Sequence, residues 1–129
     1  MSIAVGLDEL RQVSASHERA PYFLTVGDDG RPHSVQTDWQ WDGDEIELPV
    51  GNRTLGNARS RPLVALVWPA DERGGYSLIV DGEVVDVRGT GSGDNLVRVR
   101  PTRAVMHRPA TGVSESACGA DCVPILDER

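Results

Sequence analysis

The sequence predicts a single, mainly β domain: about six strands forming a closed or partly closed barrel, with an N-terminal helix and one short helix. Three observations carry this. Short apolar or alternating segments recur at regular spacing with turn signals between them, as in barrels and sandwiches. His33–Trp41 alternates with period two. Only two stretches have helical spacing. At 129 residues the chain has the length of one domain, which buries roughly two-thirds of its unfolded surface.

The elements follow in order. Leu7, Leu10 and Val13 lie at near-helical spacing, predicting an amphipathic helix over 7–18 that Pro21 closes. Tyr22–Val26 is strand-like, and Gly27-Asp28-Asp29-Gly30 is a turn. In the next strand Val35, Thr37, Trp39 and Trp41 share one face, and Ser34, Gln36, Asp38 and Gln40 the other. Asp42-Gly43 predicts a tight hairpin into a strand whose Ile46, Leu48 and Val50 alternate. Gly51-Asn52 leaves that strand. Thr54–Ser60 forms a short helix, with Thr54 as its cap, ended by Pro62. Leu63–Trp68 is continuously apolar, the pattern of a strand buried on both faces. Tyr76–Val87 is a long strand with a bulge at Gly82. Gly89–Asp94 connects it to a last strand, Leu96–His107, interrupted near Pro101. From Pro109 to Arg129 the periodicity fades into a tail.

Composition excludes several classes of function. The net charge is −7, so the surface repels phosphate backbones and nucleic acid is not expected as a partner. All thirteen basic residues are arginine, which removes lysine-based Schiff-base catalysis. No run of about 20 apolar residues is present, so no membrane-spanning helix is expected. The first residues lack the basic-then-apolar pattern of a secretory signal, which predicts a cytoplasmic protein.

The chemically informative segment is Pro49-Val50-Gly51-Asn52-Arg53-Thr54-Leu55-Gly56-Asn57. A strand end, a Gly-Asn turn and then a helix start together present free backbone N–H groups and a partial positive charge, which suit phosphate. Arg53 adds a cationic fork and Thr54 a hydroxyl. By themselves these residues also fit an ordinary helix start with a surface arginine.

The order of features narrows the reading. Gly-Arg-Pro-His (30–33), Asp-Gly-Asp (42–44), Arg-Thr-x-x-Asn (53–57), Arg-Pro-Leu-Val-Ala-Leu (61–66) and Gly-Tyr-Ser-Leu-Ile-Val-Asp-Gly (75–82) together resemble the pyridoxamine 5'-phosphate oxidase-like family over residues 7 to about 108. The resemblance implies a six-stranded split β-barrel over 1–108, with 109–129 as a tail packed on the domain or on a dimer partner. It also implies a homodimer with flavin mononucleotide (FMN) at the subunit interface. Other branches use the deazaflavin coenzyme F-420, and a few bind haem or biliverdin. Arg53, Thr54 and Asn57 match the segment that grips the cofactor phosphate, with Asn52 in the turn before it. Val35, Gln36 and Thr37 match the strand along the isoalloxazine. Pro49, Val50 and Gly51 match the strand end beside it. Deazaflavin members carry a lysine three residues before the asparagine; here that position is Thr54, which favours FMN. The helical insertion common before the last strand is replaced by Gly89–Asp94, and the residues that recognise pyridoxamine phosphate are not identifiable.

The other candidates have structural readings. Trp39, Trp41 and Trp68 are expected in the core or a dimer interface. His33 is expected in solvent, His17 at a helix end, and His107 as a polar strand-end residue. Cys118 and Cys122 fit either a redox pair or two structural thiols. Two functional readings remain open: hydride transfer between reduced flavin and an unidentified small substrate, or a flavin- or haem-binding module without turnover.

Overall fold

The computed structural model describes residues 1–89 and 94–109. Cys118, Cys122 and the expected tail from 110 onward lie outside the described residues. The elements are β1 (Ser2–Val5), α1 (Leu10–Ala15), β2 (Tyr22–Val26), β3 (Pro32–Gln36), β4 (Gln40–Asp42), β5 (Glu45–Val50), α2 (Asn52–Ser60), β6 (Leu63–Trp68), β7 (Ser77–Arg88) and β8 (Asn95–His107). The strands form one antiparallel sheet in the order β3-β2-β6-β7-β8-β5-β4, with β1 joining β8 beyond the end of β5. The mainly β split barrel is as predicted.

The strand count differs from six in two places. Ser2–Val5 pairs with Ala104–His107, a short polar-ended segment whose strand character comes from its partner rather than from its own pattern. The expected strand His33–Trp41 is two strands, because the chain leaves β3 at Thr37 and re-enters pairing at Gln40. The helix expected over 7–18 is shorter, Leu10–Ala15, with Leu10 and Ser14 buried.

The core follows from register. Phe23, Leu66, Val80, Ala104 and Val5 are consecutive cross-strand partners, and all five are buried. Ile46–Val99 and Leu48–Val97 continue the core on the β5 side. Trp68 is fully buried and packs edge-on against Trp39 at 4.9 Å, which in turn meets Trp41 at 6.4 Å. Edge-to-face pairing of this kind adds to area burial.

The next row outward is Tyr22, Val67, Ile79, Val105 and Ala4. These side chains point away from the core. Leu63 is 74% exposed and Tyr22 is 40% exposed. The prediction that 63–68 is buried on both faces therefore does not hold in the single chain: Val64, Leu66 and Trp68 face inward and the alternate residues face out.

Two bulges bend the long β7–β8 ribbon. Thr102 is extra on β8 opposite Asp81–Gly82, and Val85 is extra on β7 opposite Val99–Arg98. The expected irregularities at Gly82 and Pro101 thus meet as cross-strand partners. Glycine is required at 82 because an added Cβ would collide with Val99 Cγ1. At the β4–β5 hairpin Gly43 takes a positive φ of 65°, and Arg98 on β8 clamps the turn through Asp42 at 2.8 Å, Glu45 at 3.5 Å and Glu47. The hydrogen bond that Arg98 donates to Asp42, ahead of the opposing desolvation, raises the Arg98 pKa above its ordinary value.

Candidate functional site

The site is built where β3 and β5 end and α2 begins. Pro49 and Val50 pair with Leu96 and Asn95, so the end of β5 is held by β8. Thr37 leaves β3 with its N–H donated to Pro21 O at 3.0 Å. Its hydroxyl donates to Pro49 O at 2.6 Å, which ties the end of β3 to the end of β5. Gln36 Nε2 donates to Ala20 O at 2.9 Å. These bonds set the two strand ends side by side as the walls of a cleft.

The floor is the start of α2. The helix begins two residues earlier than predicted: its cap is Gly51, in an extended conformation, and it is not Thr54. The first intrahelical bond runs from Leu55 N–H to Gly51 O at 3.0 Å. The N–H groups of Asn52, Arg53 and Thr54 therefore have no partner inside the helix. Glycine supplies no side-chain oxygen to satisfy them, and among the described residues no side chain caps them. Thr54 is buried within the first turn instead of capping it, because the α2 face that carries Thr54, Leu55 and Ala58 packs inward.

The resulting cleft has a volume of about 640 Å³ and is lined by Val35, Gln36, Thr37, Pro49, Val50, Gly51, Asn52, Arg53 and Thr54, together with His33. The volume suits a small-molecule ligand. Every residue singled out from the sequence is there except Asn57. Asn57 is buried, and its Nδ2 donates to Thr25 Oγ1 at 3.1 Å, tying α2 to β2. It lines an adjoining cleft of about 750 Å³ that shares His33, Asn52 and Arg53 and adds Arg31 and Ser60.

The electrostatics favour an anion despite the negative chain. Arg53 is exposed and has no carboxylate partner among the described residues. The neighbouring acids are already engaged: Asp28 with Arg61 at 2.9 Å and Asp29 with Arg31 at 3.6 Å. A guanidinium without an ion pair among the described residues, beside N–H groups without an intrahelical partner, is suited to an anion. The apolar face of Val35 and Val50 beside it can take a flat ring.

Sequence reasoning missed two residues. His33 is half-buried and lines both clefts rather than standing in solvent. The signal was there, since period two puts it on the face of Val35 and Thr37. Asn95 is 2% exposed and donates Nδ2 to Asn52 Oδ1 at 2.8 Å. No local pattern marks it.

The remaining histidines are structural. His17 places its two ring nitrogens 3.1 Å from Val13 O and from Tyr76 O. His107 Nδ1 meets Ser2 Oγ at 3.0 Å. Among the described residues no group of three or more His, Cys, Asp or Glu is placed to hold a metal, and no helix is long and apolar enough to cross a membrane.

No protein-family model matches the chain. Two curated relatives are the uncharacterized protein Mb0449c of Mycobacterium bovis and the uncharacterized protein MT0457 of Mycobacterium tuberculosis. Each is 35% identical over 132 residues, covering 89% of this chain and 92% of the relative. Solved structures share the fold. An F420 reductase superimposes with a TM-score of 0.59 at 20% identity, covering 70% of this chain and 94% of that one. An FMN-binding protein from Syntrophomonas wolfei subsp. wolfei gives 0.64 at 11% identity, covering 79% and 86%. A Clostridium acetobutylicum protein of the pyridoxinephosphate oxidase family, related to general stress protein 26, gives 0.57 at 12% identity, covering 81% and 91%.

Proposed function

The chain belongs to the family of these two mycobacterial proteins and has the split-barrel fold of the pyridoxamine 5'-phosphate oxidase-like proteins, and from that premise we propose that it binds a flavin-type cofactor, FMN, in the cleft between β3, β5 and α2. One observation carries the reading. The strand residues and the helix start named from the sequence line one cleft, which combines helix-start N–H groups and an arginine without an ion pair among the described residues with the apolar side chains of Val35 and Val50. That combination suits a molecule that carries both a phosphate and a flat ring system. Arg53 and the N–H groups of Asn52, Arg53 and Thr54 hold the phosphate. Val35, Gln36, Thr37, Pro49, Val50 and Gly51 flank the ring.

Bound flavin supplies hydride transfer, and the protein is an oxidoreductase acting on a small substrate. Position and exclusion of water are the chain's own contribution. Among the described residues the lining includes no carboxylate or cysteine, and His33 is its one imidazole.

The working unit is a homodimer. The outer row of Tyr22, Val67, Ile79 and Val105 supports this: an apolar sheet face of this kind is what obligate dimers bury. The deazaflavin coenzyme F-420 is the second reading, favoured by the likeness to an F420 reductase. Titrating the purified protein with FMN and with deazaflavin, followed by flavin fluorescence, tests both. Saturable quenching by one ligand and not the other selects between them, and quenching by neither removes both.

A further inference from the structure

We propose that Asn95 is a positioning residue that fixes the side-chain amide of Asn52, so that Asn52 presents its amino group to the anionic end of the cofactor; this rests on the phosphate-at-α2 reading above. Among the described residues the buried side-chain polar atoms without a partner are Trp68 Nε1 and Asn95 Oδ1. A buried, half-satisfied carboxamide is costly, and an apolar side chain would fill the same space at lower cost. A Cβ on Gly89 would lie 2.6 Å from Leu55 Cδ2, 3.3 Å from Asn95 Oδ1 and 3.6 Å from Arg59 Nη2.

The Asn95 side-chain bond goes to Asn52. Nδ2 donates to Asn52 Oδ1 at 2.8 Å. The sheet puts it there: Asn95 is the first residue of β8 and pairs with Val50, two residues before Asn52. A carboxamide carries its acceptor and its donors on opposite branches. Engaging the oxygen of Asn52 from the buried side leaves the NH2 group for the exposed side. Asn52 is exposed and lines both clefts. Without Asn95 the amide is free to rotate and offers an anion its oxygen as readily as its nitrogen. Asn95 thus acts on the ligand through Asn52 and does not touch it.

The test compares FMN with riboflavin, which lacks the phosphate, on Asn52→Ala, Asn95→Leu, the double variant and Asn95→Asp. Each of the first two should weaken FMN binding about 5- to 10-fold, the worth of one hydrogen bond to a charged group at an exposed site, and riboflavin by less than about twofold. The double variant should be no worse than either single one, because the two residues act as a unit. An aspartate at 95 accepts from Asn52 and turns its oxygen to the cleft, so FMN should weaken at least as much as with leucine. In the parent, whose fold is not in question, FMN should shift the Asn52 side-chain amide resonances more than riboflavin does. Multiplying losses in the double variant, equal losses for both ligands, or Asn52 amide resonances unmoved by FMN overturn the proposal. Arg53→Ala separates the two readings. If it reduces the preference for FMN while Asn95→Leu leaves that preference intact, only the Asn95 inference fails. If the parent shows no preference, the phosphate reading fails and the inference with it.

Discussion

Replacing Arg53 with alanine probes the anion receptor with little collateral damage. Arg53 is the second residue of α2, is exposed, and makes no ion pair among the described residues. Its removal strands no carboxylate and opens no cavity. Stability should change by less than about 0.5 kcal/mol. A hydrogen bond to a charged group contributes about 1.5–3 kcal/mol, and exposure to solvent places Arg53 toward the lower end. At about 1.4 kcal/mol per tenfold, FMN should bind roughly 10-fold more weakly, and not beyond about 100-fold. The helix N–H groups remain, so some preference for the phosphate should persist. Riboflavin affinity should hold within about twofold, since the proposed ring site lies on the strands and not at the arginine. Fluorescence titration of both ligands, with a thermal melt as control, gives the answer. Unchanged FMN affinity in a folded variant refutes a phosphate contact at Arg53. Equal weakening of FMN and riboflavin refutes it too, by showing that the substitution deforms the cleft.

Three further outcomes follow from the packing. Phe23→Ala empties one end of the inner row, beside Leu66, and should cost about 3–5 kcal/mol in denaturant unfolding. Asn57→Ala removes the bond to Thr25 and should lower stability by about 1–3 kcal/mol while the affinity of the folded protein for FMN stays near that of the parent; a selective loss of FMN would instead give Asn57 a direct cofactor role. Sedimentation of the parent at micromolar concentration should show a dimer, and Val67→Asp, which puts a charge in the outer apolar row, should shift it toward monomer. A parent that sediments as a monomer would contradict the proposed assembly.

The sequence was most legible where periodicity or turn chemistry acts locally. β2, β5, β6 and β7 fall where alternation or an apolar run placed them, and Gly43 takes the positive φ its hairpin requires. Failures came where tertiary partners decide. β1 exists because β8 extends past β5 and offers an edge. The break at Thr37–Trp39 follows the bond from Thr37 to Pro49 and the packing of Trp39 on Trp68, neither of which leaves a mark in the alternation. Helix α2 starts at Asn52 because Gly51 is extended after β5, and a residue without a side-chain acceptor gives no capping signal. The cleft residues were found through the order of motifs, not through their chemistry. Asn95 was invisible because its meaning comes from a partner 43 positions away.

The most direct test of the account is the titration of the purified protein with FMN, with FAD, deazaflavin and haem as comparisons. The account predicts saturable quenching of flavin fluorescence at one FMN per chain, tighter than riboflavin and weakened by Arg53→Ala. A protein that leaves the spectra of all the flavin-type ligands unchanged, or that takes up haem alone, would contradict it.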